Sequence, residues 1–271
     1  MNLIQIVEQI AAEANKPGVM SLAGRAMEKK MAKQLEPYFR HVAALARQNL
    51  KHLANVEPKS ARHAVDLAIG RVIRITSHAL QAIIERNWHE ALLKADKQKH
   101  MAHHFKESFQ EADDEPGDVG ETIDDLPSEE AARIAKEHAA EAVVGINKQT
   151  IKLFQDAVEQ AIKEQLAPQG LSQLLRQVEE SMVKSRADTI ARTEMSDAFG
   201  EASLQKLNRG DIEYKQLIPS PGACEICLGI VANGPVPIDE PFVDDDGEEY
   251  DRSPIHPNCR CATVGANAPD E

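Results

Sequence analysis

The sequence predicts a mainly α protein: a long helical N-terminal region, then a helical segment leading into a small C-terminal α+β unit. Three observations predict it. Apolar residues recur at helical spacing through most of the first 210 positions. Aromatics make up only 4% of the chain, so its core must come mainly from Ala, Leu, Ile and Val, a composition that suits helices. After Gly210 the pattern changes to alternation and loops, and all four cysteines fall between Cys224 and Cys261.

Taken in order, residues 2–15 read as a short amphipathic helix ended by Pro17-Gly18. A second helix is expected from about Leu22 to Leu53, with Pro37 as a kink or break. Val56-Glu57-Pro58 makes a stop, and Ser60 is a candidate N-cap for a long helix to about Phe109. Val65, Ile69, Val72, Ile73, Leu80, Ile83 and Ile84 form its apolar stripe. Residues 111–130 hold ten acids and no base, with Pro and Gly among them, and read as a linker between domains. Helix resumes at Ser128 and runs to about Leu166. A short helix from Ser172 through Val178 or beyond and another from about Lys184 to Leu207 follow, the latter stopped by Gly210. Residues 212–218 alternate as a strand, Val236–Ile238 suits an edge strand, and Tyr250 and Thr263-Val264 suit further ones. The expected division is a helical arm over 1–110, an acidic linker over 111–130, and a domain over 131–271 with a metal-binding subdomain at about 211–265.

Charge divides the chain. Residues 1–110 carry 17 Lys+Arg against 10 Asp+Glu, and eight of the ten histidines; the remainder carries 14 against 34. Two different contact surfaces are one consequence, and two self-solvating halves the other. His78, His89 and His100 are eleven apart, almost three helical turns, and fall opposite the apolar stripe near Arg71, Arg74 and Lys99. This is an outward basic face, either solvated or suited to an acidic partner or nucleic-acid phosphates. No run approaches the ~18 apolar residues of a membrane span, and the N-terminus lacks the features of a signal peptide, so folding in a reducing cytoplasm is expected.

The chemistry-bearing stretch has the spacing C-x2-C-x28-H-x2-C-x-C. Pro221-Gly222 supplies a turn before Cys224 and Cys227; Cys259 and Cys261, two apart on extended chain, share a face; His256 bends into the same space. Tetrahedral Zn²⁺ needs four ligands, and Cys224, Cys227, His256, Cys259 and Cys261 offer five. Spacing leaves open which residue is spare. The C-terminal unit is poor in apolar residues, so a zinc staple answers its need for a core. Disulfides are disfavoured in a reducing compartment, and a redox C-x2-C would be expected to start a helix in a thioredoxin-like unit.

A catalytic zinc is the alternative. The H-x-E of zinc deaminases and the H-E-x-x-H of metalloproteases do not occur, and His256-Pro257-Asn258 is a poor copy of a His-Asn-His nuclease. The run Asp244-Asp245-Asp246-Gly247 lacks two of the acids of an EF-hand, Phe242 and Ser253 standing in their places, and reads as a solvated loop.

Gly170-Leu171-Ser172, Ser185-Arg186-Ala187 and Thr189-Ile190-Ala191-Arg192-Thr193-Glu194 are followed by Ile212-Glu213-Tyr214-Lys215, Cys224-Glu225-Ile226-Cys227 and the H-P-N-C-R-C run from His256. This order resembles the phage Mu F-like family of minor head, or head morphogenesis, proteins over roughly residues 150–265. The resemblance implies a structural virion component, in the head interior or at the portal vertex, that acts in head assembly and in DNA packaging or delivery. Implied partners are portal protein, packaged double-stranded DNA, and capsid or scaffolding protein. It carries the family signature onto Arg192, Thr193, Glu194, Cys224, Cys227, His256, Cys259 and Cys261, in keeping with a structural zinc held by four of the last five. The alternative is a zinc-dependent nuclease or hydrolase. Ser253-Pro254-Ile255 and Gln216 depart from the family pattern, in which a second proline precedes the histidine and an aromatic is common before the first cysteine.

Overall fold

The computed structural model describes residues 22–51, 53, 58–96, 126–210 and 212–268. The expected helix at 2–15 and most of the acidic segment lie outside these residues. Six α-helices are described: α1 (Leu22–Leu50), α2 (Pro58–Asp96), α3 (Ser128–Lys163), α4 (Pro168–Ser181), α5 (Ala187–Arg209) and α6 (Glu225–Ala232). The strands are β1 (Tyr214–Ile218), β2 (Val236–Pro237), β3 (Phe242–Val243), β4 (Glu249–Tyr250) and β5 (Ala262–Ala266). The expected fold class holds: helices dominate, and the strands are confined to the C-terminal unit.

The chain forms two compact units, one from Glu28–Trp88 with Ala132–Ala191, the other from the described parts of Met1–Met27, His89–Ala131 and Arg192–Glu271. The first is an antiparallel helical bundle. Tyr38 meets Thr76 and Gln34 accepts from Asn87, so numbering rises along α1 as it falls along α2. Arg62 pairs with Glu159, Asn147 donates to Ser77, and Trp88 stacks on His138, which sets α3 antiparallel to α2. Arg47 pairs with Glu179 at 2.8 Å, tying α1 to α4. Leu35, Phe39, Val42, Ile69, Leu80, Ile84, Trp88 and Phe154 fill the interior. Each such side chain contributes roughly 1.5–3 kcal/mol by burial.

Two local departures have physical reasons. Pro37 lies inside α1 without ending it. It sits on the exposed side, where the carbonyl it cannot pair is open to water, while Leu35 and Phe39 are fully buried on the other side. Two helices were expected, one from Ser172 through Val178 or beyond and one from about Lys184; a π-helical turn, Met182–Arg186, joins them as α4 and α5. No Gly or Pro lies in that interval to stop the helix, and the wider turn absorbs an extra residue while Met182 and Val183 stay buried.

Among the described residues, Ser60–Ala95 is the one helix long and apolar enough to cross a membrane. Here it is a bundle helix with Val65, Ile69, Val72 and Leu80 facing the interior and Arg71 and Arg74 facing out.

In the C-terminal unit β1 is central, antiparallel to β2 on one edge and to β5 on the other. β3 and β4 form a hairpin. Asp244 organises its turn: Oδ1 accepts from the Asp246 and Glu248 amides, and Oδ2 accepts from the Tyr250 hydroxyl. These bonds give Asp244 a structural task within the acidic loop. The buried core consists of Leu217, Cys227, Ile230, Phe242, Ile255, Cys259 and Cys261, so three of seven core side chains are thiols. Ala223, Val231, Val236 and Tyr250 pack against this cluster half-buried, so the apolar core is present but small for such a unit.

Candidate metal centre

Three segments carry the donors. Gly222, with φ +75°, closes the turn in which the Ala223 amide donates to the Ser220 carbonyl, and Cys224 follows as the N-cap of α6. The C-x2-C pair therefore does start a helix, against the expectation of a simple turn. One helical turn puts Cys224 and Cys227 on the same side and also aligns Cys227 with buried Ile230. The second segment is the tight turn at His256–Cys259, where the Cys259 amide donates to the His256 carbonyl. Asn258 within it has φ +65°. The third is Cys261, which leads into β5.

These segments bring all five expected donors together. Cys224, Cys227 and His256 form one triad of mutually close ligand atoms, and Cys227, Cys259 and Cys261 form another, so Cys227 belongs to both. His256 Nε2 lies 3.1 Å from Cys224 Sγ and 3.4 Å from Cys227 Sγ. Cys227 and Cys259 sulfurs are 3.8 Å apart. A tetrahedral Zn²⁺ with Zn–S of about 2.3 Å and Zn–N of about 2.0 Å separates two sulfurs by about 3.8 Å and a sulfur from a nitrogen by about 3.5 Å. The donor set fits such an ion. All four cysteines are free thiols, Cys224 exposed and the other three buried.

The protonation pattern fits a cation too. His256 Nδ1 is 2.9 Å from the Pro257 carbonyl, which can only accept, so Nδ1 carries the hydrogen and Nε2 is the atom turned to the sulfurs. A ligating histidine is usually oriented by such a bond. Hydrogen bonds from Cys227 and then Cys261 bring the Cys259 thiol down to about 2. The reciprocal bonds to Cys259 and Cys261, with burial, push Cys227 well up. Cys261 is lowered by Cys227 but raised more by Cys259 and burial, to about 11. Burial is the largest single influence on Cys224 and raises it, but the hydrogen bonds from Cys227 together with the charge and hydrogen bond of His256 outweigh it, so the thiol is lowered. Protons alone are thus shared unevenly among the sulfurs, with Cys259 and Cys224 lowered and Cys227 and Cys261 raised.

The Arg192-Thr193 pair lies on α5 and reaches this loop. Arg192 Nη1 donates to Asn258 Oδ1 at 2.9 Å, and the Asn258 amide donates to Thr193 Oγ1 at 3.1 Å. Glu194 is buried. Several supporting residues were missed in the sequence. Arg252 is held by Asp197 and Glu201 on α5. Ser253 exchanges hydrogen bonds with Thr263 on β5. Lys215, almost fully buried on β1, donates to the Asp251 carbonyl and lies over the Phe242 ring. One signal was available: Asp197 and Glu201, like charges at i and i+4 on a helix, call for a cation between them.

Of the expected basic face, Arg71, Arg74 and His78 are exposed, with Leu67 and Ile75 exposed beside them. His89 is half-buried, 3.4 Å from Ser128 Oγ. Lys99 and His100 lie outside the described residues.

Residues 152–264, less than half of the chain, match the family model described as Phage Mu protein F like protein, which bears out the resemblance drawn from the order of motifs. No curated protein and no solved structure matches the chain.

Proposed function

We propose, from the phage Mu protein F like match over residues 152–264, that the chain is a structural minor head protein of a tailed phage. It acts at the portal vertex or in the head interior, in head assembly and in DNA packaging or delivery. The family match carries this reading. The convergence of Cys224, Cys227, His256, Cys259 and Cys261 supports its second half, a structural zinc held by four of the five. An ion there links α6, the His256 turn and the start of β5, and so reinforces the small apolar core of the C-terminal unit. The basic face of α2, with Arg71, Arg74 and His78, is the docking surface for portal protein or packaged duplex DNA. The test is a phage whose gene for this chain is interrupted. Heads that are malformed, empty or non-infectious, with the chain itself found in wild-type virions, are expected. Normal infectious particles made without it would overturn the reading.

A further inference from the structure

We infer that Arg192 and Thr193 are positioning residues for the metal centre, so that clasping the His256 turn onto α5 and filling the site with metal are one coupled event. The inference rests on the zinc reading of the cysteine–histidine cluster and deepens it.

The carrying observation is how Asn258 is held. It lies between two donors, His256 and Cys259, and is the residue whose left-handed backbone turns the chain from one to the other. Both its ends are pinned by adjacent residues of one helix. Arg192 Nη1 donates to its side-chain oxygen and Thr193 Oγ1 accepts from its backbone amide. An asparagine outside glycine-like conformations would swing the His256 ring and the Cys259 sulfur to different places. The Cys259 amide closes back on the His256 carbonyl at 3.0 Å, so the turn moves as a single piece. Fixing Asn258 to α5 therefore holds His256 and Cys259 in one orientation to meet Cys227, which comes from a separate segment.

Rigid helices make good supports for ligand loops, and outer-shell contacts of this kind typically change metal affinity 10- to 100-fold. The exposed position of Asn258 argues that these bonds do not serve the core. A core role would place them inside. Coupling runs both ways: a bound ion steadies the turn against α5, and loss of the clasp weakens the ion's hold.

The test measures Zn²⁺ affinity of the full chain by competition with a chromophoric chelator, and Co²⁺ absorption as a signature of tetrahedral thiolate ligation. Arg192→Ala and Thr193→Val should each weaken Zn²⁺ binding tenfold or more and broaden the Co²⁺ bands, with helical content unchanged. Thr193→Ser keeps the acceptor and should bind as wild type. Asn258→Gly keeps the left-handed turn but loses the Arg192 contact, so it should weaken binding on its own and add nothing in an Arg192→Ala background. Wild-type affinity and spectrum in both Arg192→Ala and Thr193→Val would overturn the inference while leaving the zinc reading intact. A wild-type chain that binds no Zn²⁺ would overturn both.

Discussion

Arg252 Nε donates to Glu201 Oε2 at 2.8 Å, joining the chain just before the His256 turn to helix α5 across 51 positions. The same guanidinium pairs with Asp197 and reaches the Asp197 and Ser253 carbonyls. Burial alone would lower Arg252, but the charges of Asp197 and Glu201 raise it, so it stays a cation. Arg252→Leu removes the charge that holds two carboxylates together one helical turn apart. It should destabilise the C-terminal unit by about 2 kcal/mol, below the full penalty of a buried pair because all three side chains keep some solvent contact. Chemical denaturation of the purified variant checks this.

Gly200 provides a second test of that seam. A Cβ at this position would run into the Ser253 carbonyl oxygen, which is backbone and cannot swing aside. Gly200→Ala should cost about 1–3 kcal/mol, the usual penalty of overpacking, despite the better helix propensity of alanine. Thermal unfolding of the two chains side by side reads it. A variant as stable as wild type would mean that α5 and residue 253 are not in this contact.

Metal affinity should fall on acidification. Cys227 and Cys261 are held above the ordinary thiol value and carry protons at neutral pH in the metal-free chain. An ion must displace those protons, so lower pH favours the metal-free form. For each proton released the dissociation constant should rise about tenfold per pH unit lowered. Competition titrations between pH 8 and 6 give the slope, and a flat profile would contradict thiolate ligation.

The α2 face makes a charge prediction. Arg71→Glu together with Arg74→Glu should leave the helical bundle folded, since both side chains are exposed, yet weaken association with portal protein or with duplex DNA at low salt. Sedimentation against each probe separates the two partners. Undiminished binding to both would remove this face from the account.

Much of this molecule was legible from local pattern. The stripe of Val65, Ile69, Val72 and Leu80 placed α2, and the spacing of the cysteines with His256 placed the five donors in one cluster. The start of α6 was not legible. Residues 225–232 contain a glycine and β-branched residues, weak helix formers, and the helix exists because it puts Cys227 and Ile230 into the core. The clasp of Asn258 and the Arg252 network were equally hidden. Each joins residues more than fifty positions apart, and side-chain identity names no partner at that range. For the π-helical turn at Met182–Arg186 the sequence shows only the lack of a breaker.

Metal content tests the cysteine–histidine staple most directly. The full chain, purified without added metal, should carry one zinc per chain by native mass spectrometry. Stripping it with a chelator should expose the β1 and β5 amides to hydrogen exchange while those of the Glu28–Trp88 and Ala132–Ala191 bundle stay protected. A chain that holds no metal, or whose β1 and β5 protection is the same with and without it, would contradict the claim that the cysteine–histidine cluster is a structural staple.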